Sequence, residues 1–158
     1  MDIRSPSTLP ATGAPSPTRP DGLEQLRQAF AGPQRPGIGA TLGFRLVEIE
    51  AGRVVFAGTP GPEVYNPIGT VHGGYAATLL DSACGCAVHS RLTADQAYTT
   101  LELKVAYHRG MTARTGEVFA EGRVVSLGRR AAFAEATLKD AAGRLYASAT
   151  SSLLVMER

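Results

Sequence analysis

His72-Gly73-Gly74 and Asp81 are the residues of this chain whose types and spacing could do chemistry. The glycines open a proline-free run from Gly74 to Val88, in which Ala76, Leu79, Leu80, Ala83 and Ala87 recur with a helical period. The first backbone N–H groups of a helix have no partner within it, and the helix dipole is positive at that end. With no Cβ at Gly73 or Gly74, an anion or a polarised carbonyl has open access to those donors. A second face of the run carries Gly74, Thr78, Asp81 and Gly85, three or four apart and small or polar. Glycine inside a helix costs about 1 kcal/mol against alanine. That face therefore predicts a close neighbour, a packed backbone or a ligand, with one carboxylate in its midst.

The flanking sequence supplies the elements that must position this helix. Leu42–Glu50 and Arg53–Thr59 alternate with period two and read as a hairpin closed at Ala51-Gly52. Pro60 to Pro67 is a loop, ended by the turn-forming Asn66-Pro67, that delivers the chain to His72. After the helix, Thr99–His108, Thr115–Ser126, Arg130–Asp140 and Gly143–Val155 alternate again, the first with Leu101, Leu103, Val105 and Tyr107 on one side. Their short connections predict antiparallel neighbours. Ala132, Ala134, Ala136, Ala147 and Ala149 leave room for a helix against the sheet. The expected fold is α+β, an antiparallel sheet of about six strands around one long central helix. Upstream, Gly22 to Ala31 predicts a short helix with Leu23, Leu26 and Phe30 inward, stopped at Gly32-Pro33. Residues 1–22, with Pro6, Pro10, Pro15, Pro17 and Pro20, read as a disordered segment, leaving 23–158 as the domain.

Composition narrows the function classes. The chain has 158 residues, 44% hydrophobic and 19% charged, which suits one globular domain. A net charge of +2, with Arg129-Arg130 as the only adjacent basic pair, argues against a nucleic-acid partner. No run reaches the length of a membrane span and no apolar signal region follows Met1, so no membrane partner and a cytoplasmic setting are expected. Cys84 and Cys86, two apart on a helix, point about 200° apart and cannot pair or share a metal. They read as small buried residues in a reducing compartment.

The order of elements, and the words Asn66-Pro67-Ile68-Gly69-Thr70-Val71-His72-Gly73-Gly74 followed by Asp81, resemble the hotdog-fold acyl-CoA thioesterases of the phenylacetate-pathway (PaaI-like) group. The resemblance covers residues from about 38 to 155. It implies that Asp81 is the nucleophile or general base and that the Gly73 N–H holds the thioester oxygen. It also implies that Asn66 and His72 orient substrate or water, and that Thr100, on the strand after the helix, assists. Gly74 and Thr78 would border the substrate, while Gly128, Arg129 and Arg130 would meet the phosphates of coenzyme A. Neither a metal nor a redox cofactor is expected, because coenzyme A arrives as part of the substrate. After Tyr107 the chain reads His108-Arg109-Gly110, where relatives often carry proline.

Thioester hydrolysis needs a polarised carbonyl and an activated water or carboxylate; the thiolate leaves readily without a strong acid. A helix N-terminus and Asp81 supply these two needs. Nine residues along a helix are about 13 Å of rise and half a turn out of phase. His72 and Asp81 of one chain therefore cannot flank one carbonyl, and a homodimer or dimer of dimers is expected, each site built from two copies. Two other readings share the fold: a hydratase or dehydratase, and a non-catalytic acyl-CoA-binding module.

Overall fold

The central helix, α3 (Gly73–His89), is apolar on most of its circumference. Tyr75, Ala76, Leu79, Leu80, Ala83, Cys84, Ala87 and Val88 are all buried, so the helix needs cover on several sides at once. A six-stranded sheet provides it: β1 (Phe44–Glu50), β2 (Arg53–Gly58), β3 (Gln96–Tyr107), β4 (Val118–Leu127), β5 (Ala131–Asp140) and β6 (Leu145–Glu157). This computed structural model describes residues 19–33 and 36–158. The strands lie in the order β1-β2-β4-β5-β6-β3, and every neighbouring pair is antiparallel. The expected α+β architecture, its hairpin at Ala51-Gly52 and its four later strands are all present.

Small residues set the helix–sheet distance. The five strand alanines named above are buried beneath α3. Gly122 on β4 lies closest, for a Cβ there would overlap the Ala83 carbonyl. No side chain can yield at a backbone contact, so this crossing requires glycine.

Strand β3 departs from strict alternation. Thr100 pairs with Leu153 and Glu102 with Ser152, which leaves Leu101 as an extra residue in a β-bulge. Leu101 is 64% exposed and does not share the inner side with Leu103 and Val105, contrary to the period-two expectation. The bulge shifts the phase. Tyr98 and Thr100 face the helix before it, and Leu103, Val105 and Tyr107 face it afterwards.

The chain before the sheet forms two helices. In α1 (Gly22–Phe30), the Asp21 side chain caps Glu24 N–H at 2.9 Å, and Gly22 N–H donates to Leu92 O at 3.0 Å. Asp21 and Gly22, assigned to the leading segment by composition, are thus the cap and first residue of a docked helix. Leu26 is buried and Leu23 half-buried, while Phe30 meets Phe56 edge-on with centroids 6.0 Å apart. The short α2 (Ile38–Leu42), held between Gly37 and Gly43, has no counterpart in the sequence expectation. Pro20 O accepts from Gln25 Nε2 at 2.7 Å, and residues 1–18 of the expected disordered segment lie outside the described residues.

Candidate active site

The start of α3 is held by a closed loop. Asn66 Oδ1 accepts from the Ile68 and Thr70 N–H groups, both at 3.1 Å, and its Nδ2 donates to Thr70 Oγ1 at 2.9 Å. The loop closes through Gly69, whose φ of +84° favours glycine. Asn66 therefore organises the approach to the helix through both ends of its carboxamide. Val71 N–H then donates to Met111 O at 2.9 Å and His72 N–H to Val64 O at 2.8 Å.

His72 is the N-cap of α3: its Nδ1 accepts from Gly74 N–H at 2.8 Å. A ring nitrogen that accepts carries no proton, so the neutral imidazole holds its hydrogen on Nε2 and presents a donor there. The Gly73 N–H has no acceptor among the described residues. It is the free donor that the His-Gly-Gly sequence predicts. Tyr107 Oη donates to Gly73 O at 3.0 Å, and its ring lies against Gly73, where a Cβ would come within 3.0 Å. Thr78 Oγ1 donates back to Gly74 O at 2.8 Å, committing its proton within the helix.

Asp81 lies two turns further along, half-buried, with Oδ1 accepting from Thr100 Oγ1 at 3.1 Å. Both residues border a cavity of about 660 Å³ that extends beneath α1 and α2. Its apolar walls include Phe30, Ile38, Phe44, Leu46 and Phe56. Cys86 also borders it, but burial pushes its thiol up to about 12, so it is no thiolate nucleophile at neutral pH. Gly73 borders a different, smaller cleft of about 340 Å³ with Tyr107, His108 and Arg109.

The structure thus brings Asp81 to Thr100, and His72 to Gly73 and Gly74, but keeps the two groups apart within one chain. Strand β3 tethers both, Asp81 through Thr100 and Gly73 through Tyr107. Gly128, Arg129 and Arg130 form the exposed turn between β4 and β5, with Gly128 N–H donating to Ala131 O at 2.8 Å. The two arginines border a surface groove with Met156 and Glu157, separate from both cavities. Pattern reading missed the tether made by Tyr107, the α1–α2 wall of the cavity, and Tyr98. The last left a signal, because Gly85 on the small face of the helix lies directly under its ring.

The sequence model of the thioesterase superfamily matches residues 68–147, just over half the chain, from the loop before His72 to β6. This chain belongs to the thioesterase superfamily. Its fold, a six-stranded antiparallel sheet around one helix, is the hotdog fold of thioesterases. A thioesterase family protein from Silicibacter pomeroyi superposes with a TM-score of 0.76 at 30% identity, covering 87% of this chain and 99% of that one. A variant of the phenylacetic acid degradation protein PaaI from Thermus thermophilus gives 0.67 at 28% identity, covering 73% and 96%. A Streptococcus mutans protein bound to acetyl CoA gives 0.69 at 24%, covering 80% and 96%. A curated Halobacterium salinarum protein, named as a candidate esterase, is 45% identical over 69 residues, 42% of this chain and 44% of that protein. The match to this thioesterase-superfamily chain therefore spans less than half of that relative's length.

Proposed function

We propose that this thioesterase-superfamily protein hydrolyses acyl-CoA to a free acid and coenzyme A. The observation that carries the reading is Asp81, held by Thr100 at the wall of a large apolar cavity in a chain of this superfamily. Asp81 either takes a proton from water as the water oxygen bonds to the acyl carbon, or attacks that carbon itself to form an anhydride that water then hydrolyses. In both cases the C–S bond breaks and the departing thiolate takes up a proton. The acyl group occupies the cavity. The Gly73 N–H, preorganised by the His72 cap and the Tyr107 tether, meets the oxyanion. A reducing cytoplasm suits the two free cysteines.

The carbonyl lies between two copies of the chain. Strand β3 ends the sheet and pairs only with β6, so its outer edge is free among the described residues. If a second copy adds antiparallel to that edge about a two-fold axis midway between Thr100 and Tyr107, each Thr100 falls opposite Tyr107 of the other copy. Asp81 follows Thr100 and Gly73 follows Tyr107, so the two separated halves meet across the axis.

Release of free thiol from aryl, phenylacetyl and short- to long-chain acyl-CoAs tests the reading. Thiol-reactive dye should report turnover with at least one of them. Binding without any thiol release would favour the non-catalytic module instead.

The exposed pair Arg129 and Arg130 supports a contact to the CoA phosphates, each worth about 1.5–3 kcal/mol before screening. Changing both to alanine should raise KM for acyl-CoA roughly tenfold and leave a pantetheine thioester within about twofold. Equal rises with both substrates would remove these arginines from the nucleotide site.

A further inference from the structure

The cavity beside Asp81 is not uniformly apolar. Asp81 and Thr100 are bonded to each other, with Ser82 next to them, and Arg45 pairs with Glu117 at 2.9 Å on the exposed side. Tyr98 stands apart from these groups. Its ring packs edge-on to His89, with centroids 5.7 Å apart, and its hydroxyl stands over Gly85, where a Cβ would come within 2.8 Å. That hydroxyl has no hydrogen-bond partner among the described residues, and burial raises its pKa, so it remains a donor at any physiological pH. A donor that faces a cavity is left unpaired when an apolar group fills that cavity, and stays satisfied when the occupant accepts from it.

Its position gives the distance at which that happens. Gly85 is one helical turn beyond Asp81, about 6 Å of rise towards the C-terminal end of α3. An acyl chain that leaves its carbonyl at Asp81 and follows the helix covers that distance in about five bonds. Phe30 (45% exposed) and Ile38 (59% exposed) line the same cavity and offer apolar surface to an acyl chain within it.

We propose that Tyr98 is a specificity-determining residue: the cavity selects acyl groups that carry an acceptor oxygen about five bonds from the thioester carbonyl, and Tyr98 Oη donates to it. This rests on the thioesterase reading for the placement of the carbonyl at Asp81. Selection of this kind follows from the asymmetry of hydrogen bonding. An acyl group without the oxygen leaves the Tyr98 hydroxyl buried and unpaired, whereas one that has it regains the bond lost on leaving water.

Two near-isosteric probes test this: hexanoyl-CoA with a ketone on its fifth carbon, and the same chain with a methyl branch there. Their affinities are measured by equilibrium binding to the Asp81→Asn protein, which keeps both intact, with and without Tyr98→Phe. The ketone should bind roughly tenfold more tightly, and Tyr98→Phe should bring the two within about twofold by weakening the ketone alone. Phenylalanine keeps the ring against His89 and Gly85, so a loss confined to the ketone cannot come from misfolding. Equal affinities at the outset, or a preference that survives Tyr98→Phe, would overturn the inference. A native protein that binds with this preference yet hydrolyses neither probe would sink the thioesterase reading and leave the Tyr98 subsite standing.

Discussion

Asp81→Asn is expected to lower kcat by 10²- to 10⁴-fold, the range for losing a general base, while melting temperature and substrate affinity stay close to native. Asparagine is isosteric, and its Oδ1 can still accept from Thr100 Oγ1, so the one hydrogen bond that places the side chain survives. The variant loses only the capacity to take a proton or to attack carbon. Such a loss falls on the transition state, so kcat and kcat/KM should fall together. Steady-state kinetics over the responsive acyl-CoAs, with thermal melting as a control, check it. A variant that retains more than about a tenth of native kcat would remove Asp81 from the chemistry.

The second expected result concerns two impaired proteins that recover when mixed. Gly73 occupies the first helical position, where proline is favoured, and His72 before it has φ −61° and ψ 136°, the extended geometry that precedes proline. Gly73→Pro therefore deletes the free N–H at a place the backbone accepts. Loss of one oxyanion donor should cost 10²- to 10³-fold in kcat. Gly73→Ala adds similar bulk beside Tyr107 but keeps the N–H, and so separates crowding from the missing donor. A heterodimer of Gly73→Pro and Asp81→Asn chains holds one site with both lesions and one with neither. Random re-pairing of equal amounts makes half the dimers mixed, with half their sites intact, so roughly a quarter of native activity should return. Heterodimers isolated through two different tags that stay as inactive as their parents would refute the shared site.

The frame of the molecule was legible because helical and strand periods differ and turn residues separate the segments, even though β1, β3, β4 and β6 each carry one extra residue that shifts the register. The central helix was expected from Gly74 to Val88 and runs Gly73–His89; the hairpin strands differ from expectation by one or two residues. The α2 helix was not legible, since five residues between glycines show no period at all. The site was only partly legible. Sequence could propose Gly73 as a free donor, because a helix start leaves its first N–H groups unpaired whatever surrounds it. The capping by His72 Nδ1 depends on a ring orientation that residue types do not encode. The small face at Gly85 foretold a close neighbour but not which one, because that depends on how β3 lies across the helix. Thr100 came from resemblance alone. A strict alternation counted from Tyr107 would have turned it away from Asp81.

The bulge at Leu101 makes this strand position one that can be lost as readily as changed. Leu101 is mostly exposed, so many side chains could fill its place with little cost. Losing the residue altogether would join Thr100 to Glu102 and leave them opposite Leu153 and Ser152 one to one, with Thr100 still turned to Asp81 and Leu103 and Val105 still turned to the core. Over evolutionary time, single-residue insertions and deletions should therefore collect here, in the middle of a strand, where they are ordinarily expected only in loops.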